Sequence, residues 1–588
     1  MTTGTISGIS SNLLSIKPLG PVMQNEICFV ETRGLKLMAE VIKVSRHLIF
    51  AQLFENSLFL RIGDTVEFTG HLLEAELGPG IISRNYDGLQ NDLDLIPGLF
   101  IKPGEITASV NKSEIFEFTP FVKVGAKVVA GQWLGEVKEL WIPHKIMLPF
   151  ALEGVYEVME AAPEGGYRPD ETLFKVKSEK GNLLDVNMLQ KWPVKKSLQS
   201  YKIKRSPTKI FHTGIRVIDS LNPIAEGGTG FIPGAFGTGK TVLQQAIAKN
   251  NDSDLVILVA CGERANEVVD IFTHFPELED LRTGRKLKDK TTIVCNTSNM
   301  PVAARETSVY LGMTLAEYYR NMGLKVLLLA DSTSRWAQAL REMSNRLEEM
   351  PGTDAFPVEL PATISQFYSR AGEVELDNGE IGSITFLGTV SPAGGNFKEP
   401  VTESTGKVAR CFYALSQKRA DAKRYPAIDP LLSYSRYLDY PDFIEESRIK
   451  LADNWPDVVA SARIYLQKGL EYREQISILG DDGVPIEYHI GFWKSELIDF
   501  VFVQQDSFDE NDMNCPMERQ VYMLEFILRI CRINFDFEDY EKVSFFFKKL
   551  IDFCRQMNFH KFKSDGFYSY QNLAEELLST VSTNTILP

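Results

Sequence analysis

Residues 231 to 243 read FIPGAFGTGKTVL and hold the spacing Gly234-x-x-x-x-Gly239-Lys240-Thr241. A glycine-rich loop of this form turns successive backbone N–H groups toward one point, where they receive the oxygens of a phosphate chain. The Lys240 ammonium adds a charge for the β- and γ-phosphates, and the Thr241 hydroxyl is a ligand for magnesium. The apolar run GTGFIPG before the loop and the helical pattern VLQQAIAKN after it supply a strand and a helix N-terminus, which favours anions. Gly234, Ala235, Phe236, Gly237, Thr238, Gly239, Lys240, Thr241 and Val242 are therefore candidate nucleotide-binding residues.

Two further places could carry the chemistry of the bound phosphates. In KVLLLADS an apolar run ends at Asp331, where a carboxylate can hold magnesium, although many strands end in Asp simply to begin a turn. DLVILVA runs into Cys261-Gly262-Glu263-Arg264. If this strand neighbours the phosphate-loop strand, Glu263 can polarise an attacking water and Arg264 can stabilise charge on the γ-phosphate. From spacing alone, an ion pair at a strand end accounts for Glu263 and Arg264 equally well.

The elements that must position these groups follow from hydrophobic periodicity. Residues 1–75 break into short β segments (EICFVE, MAEVIKV, HLIFAQLF) and predict an N-terminal β-barrel, with 76–105 as a linker into the core. Residues 106–185, with FVKVGAKVVAGQWLGEV and GVYEVMEAAPEGGYRP, predict a β-rich insertion with glycines at its tight turns. Over 186–440, the short apolar runs DLVILVA, TTIVC, KVLLLAD and SITFLGTV alternate with helical patterns such as VAARETSVYLGMTLAEYYRNMG. That alternation predicts an α/β nucleotide-binding domain with a mostly parallel sheet covered on both faces. Residues 441–588 turn to helical spacing, as in RQVYMLEFILRICRI, and predict a helical C-terminal domain.

Composition narrows the partners. Asp and Glu number 78 against 63 Lys and Arg, a formal net charge of -15, which repels a nucleic-acid backbone and argues against a RecA-like helicase or translocase. The seven cysteines show no CxxC pair, which suits reduced thiols rather than a disulfide framework or a zinc site. The N-terminus lacks the charged and apolar regions of a signal peptide, and no apolar run reaches the roughly 18 residues that a membrane span needs.

Taken together, GAFGTGKT, CGERANE, ADSTSRWAQALREMSNRLEEMPG, SPAGGNFKEPVT and YPAIDPLLSYSRY resemble the catalytic A (alpha) subunit of V-type and A-type rotary ATPases and ATP synthases. The likeness reaches LGPGIISRNYDGLQ at 77–90 and VQQDSFD at 503–509, so it spans nearly the whole chain. It implies an N-terminal barrel, an insertion peculiar to this subunit, a RecA-like nucleotide domain and a helical C-terminal domain. It implies an ATP hydrolase/synthase that interconverts ATP and water with ADP and phosphate, coupled through a stalk to proton or sodium flow.

By position, the resemblance makes Glu263 the water-activating glutamate. Lys240, Arg264 and Arg335 become contacts to the phosphates, and Thr241 and Asp331 the groups that hold Mg2+ with ATP or ADP. Tyr425 and Phe508 take places beside the adenine, with Gln505 among the nucleotide-binding residues; without the resemblance, both aromatics read as ordinary core residues. The implied partners are B subunits in an alternating hexameric ring, which supply an arginine in trans, together with central and peripheral stalk subunits and a membrane rotor sector. The implied location is the cytoplasmic face of a membrane, as a peripheral sector. Thr238 replaces a Cys common in eukaryotic relatives and points toward ATP synthesis in a bacterial or archaeal-type complex. A non-catalytic ring subunit is the alternative, but such sisters lack the phosphate loop or the glutamate of the GER motif.

Overall fold

The structure is a computed structural model that describes residues 2–96, 104–280 and 282–581. By contacts these residues form two compact units: 1–206 with 253–390 and 398–408, and 207–252 with 391–397 and 409–588.

The first unit begins with a closed six-stranded barrel: β1 (Thr3–Ser10), β2 (Leu13–Pro18), β3 (Glu26–Thr32), β4 (Leu35–Val44), β5 (Ile49–Leu53) and β6 (Thr65–Leu72), in the order β1-β2-β5-β4-β3-β6. In β6, Val66 and Phe68 point inward while Thr65 and Glu67 do not, the period of two that fills a small barrel with side chains. The inserted module is a sandwich of two four-stranded sheets whose strands lie between Phe116 and Val186. Phe118, Leu134, Val137, Val158 and Val176 fill its interior.

The sandwich is fastened to the long helix Val302–Arg320 by a buried polar network. Glu139 Oε2 lies 2.6 Å from His144 Nδ1, His144 Nε2 lies 2.8 Å from the Tyr318 hydroxyl, and Tyr319 donates to Glu139 over 3.3 Å. The other Glu139 oxygen accepts from the backbone N–H groups of Gly80 and Ile82. Every group in this buried cluster has a partner, so burial does not leave it destabilising. On the same helix, Glu306 shares the Lys195 ammonium with Glu40 of β4, which ties the barrel to the core.

The core of the first unit is a parallel sheet. Strand Leu255–Glu263 is flanked by Thr291–Thr297 on one side and Lys325–Asp331 on the other, and Lys325–Asp331 pairs in turn with Ile381–Val390. These strands are buried almost end to end, as expected where helices cover both faces. Both edges of Leu255–Glu263 are thereby occupied, so this strand does not neighbour the phosphate-loop strand, and that condition of the sequence reading is not met. Strand order is fixed by long-range pairing, which short apolar runs do not encode.

In the second unit, strand Thr229–Pro233 pairs in parallel with Cys411–Phe412 and leads through the phosphate loop into helix Lys240–Asn250. The helices of the tail include Trp455–Leu479, Met517–Cys531 and Tyr540–Asn558. Residues 207–252 join them through buried polar bonds. Arg216 is fully buried; its Nε donates to the Phe502 carbonyl over 2.9 Å and its guanidinium pairs with Asp512. Asp219 accepts from the N–H groups of Thr213 and Gly214 and from the Gln520 amide. This network joins residues 207–252 to the tail within the second unit. Among the described residues, no helix is long and apolar enough to cross a membrane.

Candidate active site

The phosphate loop has the backbone its sequence demands. Gly237 and Gly239 take φ of 81° and 89°, a left-handed region that other residues enter at a cost of roughly 1–2 kcal/mol. Gly234 is required for space: a Cβ there would stand 2.6 Å from Thr238 Oγ1 and 2.7 Å from Leu415 Cβ. Thr238 is buried and its hydroxyl donates to the Ala235 carbonyl over 2.8 Å, so it holds the loop closed. Lys240 Nζ donates to the Gly234 and Ala235 carbonyls over 2.9 and 3.0 Å. Phe236 and Val242 point outward and are largely exposed, and Thr241 lies in the first turn of helix Lys240–Asn250.

Tyr425 borders this loop: a Cβ on Gly239 would lie 3.8 Å from its Cε1. Tyr425 is 44% exposed. Gln505 behaves differently from an open ligand-binding side chain. Its carbonyl oxygen accepts from Arg216 N and its amide donates to the carbonyls of Gly214 and Asp512, while its own N–H donates to the Tyr425 carbonyl over 2.9 Å. Gln505 thus positions Tyr425 through the backbone. Phe508, at 87% exposed, presents its ring to solvent.

In the first unit, three of the expected residues converge. Glu263 ends its strand, and Asp331, the register partner of Ala260, ends the next. Arg335 lies in the first turn of helix Thr333–Arg346, and its Cβ would be 2.9 Å from a Cβ placed on Gly262. Gly262 itself has φ of 70°, which turns the chain just before Glu263. Asp331 is buried and accepts from the Thr389 hydroxyl over 2.5 Å. Arg264 is exposed and precedes helix Ala265–Thr273.

The electrostatics of this cluster are unbalanced. Burial pushes the Glu263 carboxyl up to about 9, helped by its hydrogen bond to Glu267 and by the negative charges of Asp331 and Glu267; Arg335 acts in the opposite sense. Three carboxylates thus gather at this point, with the Arg335 guanidinium opposing their charge.

Sequence reasoning missed two residues here. Glu267, in the first turn of helix Ala265–Thr273, is hydrogen-bonded to the Glu263 carboxyl. Arg305 leans on Gly262, with its Cδ 3.1 Å from the position a Cβ would take. It is 9% exposed, donates from Nη2 to the Ser298 carbonyl, and leaves Nε without a partner.

Comparison with known proteins adds to this geometry. The nucleotide-binding domain of the ATP synthase alpha/beta family matches residues 214–435, its barrel-sandwich domain matches 107–195, and the C-terminal domain of V and A type ATP synthase matches 446–534. The V-type ATP synthase alpha chain of Treponema denticola is 45% identical over 574 residues, covering 97% of this chain and 95% of that one. The corresponding alpha chain of Borrelia garinii subsp. bavariensis is 44% identical over 581 residues, covering 98% and 99%. The chain belongs to the V-type ATP synthase alpha chain family.

In this chain the glycine-rich loop lies on a strand-to-helix turn, Glu263 and Asp331 end parallel strands, and Arg335 lies in the first turn of the helix that follows Asp331. Membership also makes the chain part of a multi-subunit complex.

Proposed function

We propose that this chain is the subunit of a V/A-type ATP synthase that makes and breaks the terminal phosphate bond of ATP. The observation that carries the reading is the meeting of Glu263, Asp331 and Arg335 at adjoining strand ends, in a chain that also holds the loop Gly234–Thr241.

Each residue then has a task. Backbone N–H groups of the loop and the Lys240 ammonium hold the β- and γ-phosphates. Tyr425, positioned by Gln505, covers the adenine, with Phe508 beside it. Thr241 and Asp331 would hold magnesium, which when bound offsets charge on the phosphates and on the carboxylate cluster. Glu263, in its charged form, orients the attacking water and takes up its proton. Arg264 and Arg335 stabilise charge that develops on the phosphoryl oxygens. The products are ADP and phosphate, and the reverse sequence makes ATP.

A further arginine comes from a B subunit in an alternating ring of six, and stalk subunits link that ring to a membrane rotor passing protons or sodium ions. The chain itself stands as a peripheral sector on the cytoplasmic face. Reconstitution with the B subunit provides the test. The assembled ring hydrolyses ATP with magnesium, Glu263→Gln abolishes turnover while nucleotide still binds, and the isolated chain is a poor ATPase. Undiminished turnover of Glu263→Gln would overturn the assignment.

A further inference from the structure

Tyr425 borders the phosphate loop, yet its own side chain is weakly held. Its hydroxyl reaches the Ala420 carbonyl only at 3.5 Å, the outer limit of a hydrogen bond. Where the ring sits is therefore set by the backbone that carries it. That backbone forms a loop closed at its base by Ser416 N, which donates to the Ala427 carbonyl over 2.9 Å. Within the loop lie the short helix Gln417–Asp421, then Lys423 at φ of 56°, then Arg424.

Arg424 pins this loop from outside. Its Nη1 and Nη2 donate to the two Glu496 oxygens over 3.1 and 2.8 Å, and Nη1 also donates to Asp499 over 2.5 Å. The guanidinium lies 4.6 Å from the centre of the Phe500 ring. Asp499 is shared with Arg419, whose Nη1 is 2.7 Å from its other oxygen, so one carboxylate grips the loop at two points. Burial opposes the charge of Arg424, but Glu496 and Asp499 outweigh it and hold the group above its ordinary range.

Glu496 and Asp499 are buried, where helix Ile486–Ile498 runs into the turn Asp499–Val503. Gln505, just beyond that turn, donates its N–H to the Tyr425 carbonyl over 2.9 Å. Both anchors of Tyr425 thus belong to one stretch, residues 496–505.

On the reading that Tyr425 covers the adenine, we propose that Arg424 is a positioning residue for base recognition. Its fork on Glu496, with Asp499 beside it, fixes the place of the Tyr425 ring at the edge of the phosphate loop and so sets the preference for an adenine nucleotide over a bare phosphate chain. A paired guanidinium and carboxylate fix direction as well as distance, which a lone ammonium does not. Such a buried pair adds little net stability, so its gain here is geometric.

The experiment titrates the full chain calorimetrically with ATP and with inorganic triphosphate, each with magnesium, and reads the ratio of the two affinities. Triphosphate reports the phosphate loop alone, so damage to the fold lowers both affinities together, whereas a displaced Tyr425 lowers only that for ATP. Arg424→Gln weakens ATP by about fivefold or more and leaves triphosphate within about twofold. Arg424→Lys, which keeps the charge but loses the fork, recovers part of the loss. In a Tyr425→Ala background Arg424→Gln brings no further change in the ratio, because both act through one ring. If Arg424→Gln fails to fold, Glu496→Gln, which leaves Arg424 paired with Asp499, decides by a shift of about threefold or more in the same direction. A ratio that Tyr425→Ala lowers but the Arg424 and Glu496 variants leave unchanged, or losses that add in the double variant, would overturn the proposal while the base assignment stands. A ratio unchanged by Tyr425→Ala overturns both.

Discussion

Gly262 and Arg335 are packed so tightly that a Cβ on the first would stand 2.9 Å from the Cβ of the second, with Arg305 Cδ at 3.1 Å on another side. The φ of 70° at Gly262 adds a second barrier to any side chain. Gly262→Ala therefore strains the backbone by roughly 1–2 kcal/mol and crowds the site besides. ATPase turnover of the reconstituted complex falls by about tenfold or more, while nucleotide binding by the loop is retained. Turnover within twofold of the parent protein would mean that Gly262 does not set the direction of Glu263.

The carboxyl of Glu263 places catalysis and stability in opposition. Its folded value of about 9 exceeds its ordinary value of 4.5, so between these limits the folded chain binds more protons than the unfolded one. Stability of the nucleotide-free chain consequently falls as pH rises from about 4.5 toward 9. Glu263→Gln removes this slope and raises Tm at pH 8, even as it abolishes turnover. Urea midpoints of the two proteins across pH 5–9 measure the difference; parallel curves would contradict it.

On the proposed assignment, Lys240 and Tyr425 divide nucleotide recognition between phosphate and base. Lys240→Ala removes binding of ADP and ATP by about a hundredfold or more, because a charge-assisted contact and the closure of the loop are both lost. Tyr425→Ala weakens adenine nucleotides by roughly tenfold through the lost aromatic face. It leaves binding of inorganic triphosphate unchanged. Calorimetric titration of each variant with ATP and with triphosphate separates the two contributions.

His212 gives the second unit its own pH response. Burial opposes a charge on its ring, but Asp219, 2.9 Å from Nδ1, outweighs burial and the imidazole is raised above 6.5. The stabilisation is complete below the ordinary value near 6.5 and is lost as pH rises through the folded value. His212→Gln abolishes that loss. The expected signature is a difference in Tm between parent and variant that shrinks from pH 6 to pH 8.

Elements whose information is local were legible in the sequence. The phosphate loop needs only its glycines, lysine and threonine in one short window, and DLVILVA, KVLLLAD and SITFLGTV declare buried strands by their unbroken apolar character. β6 declares itself by alternation. What could not be read depends on distant pairing. The assumption that DLVILVA lies beside the phosphate-loop strand failed because strand order is settled by residues far apart in sequence. Glu267 and Arg305 are not singled out by the sequence, and only the fold brings them to Glu263 and Gly262. The bonds of the Gln505 side chain to Arg216, Gly214 and Asp512 were not legible either, because an amide gives no sign in sequence of which partner it will take.

The network of Glu139, His144 and Tyr318 grips helix Val302–Arg320 near its end, while Arg305, in the first turn, leans on Gly262. A helix of 19 residues is a rod about 28 Å long with no hinge in it. Through that rod the inserted sandwich is connected to Arg305, which packs against Gly262, the residue just before Glu263.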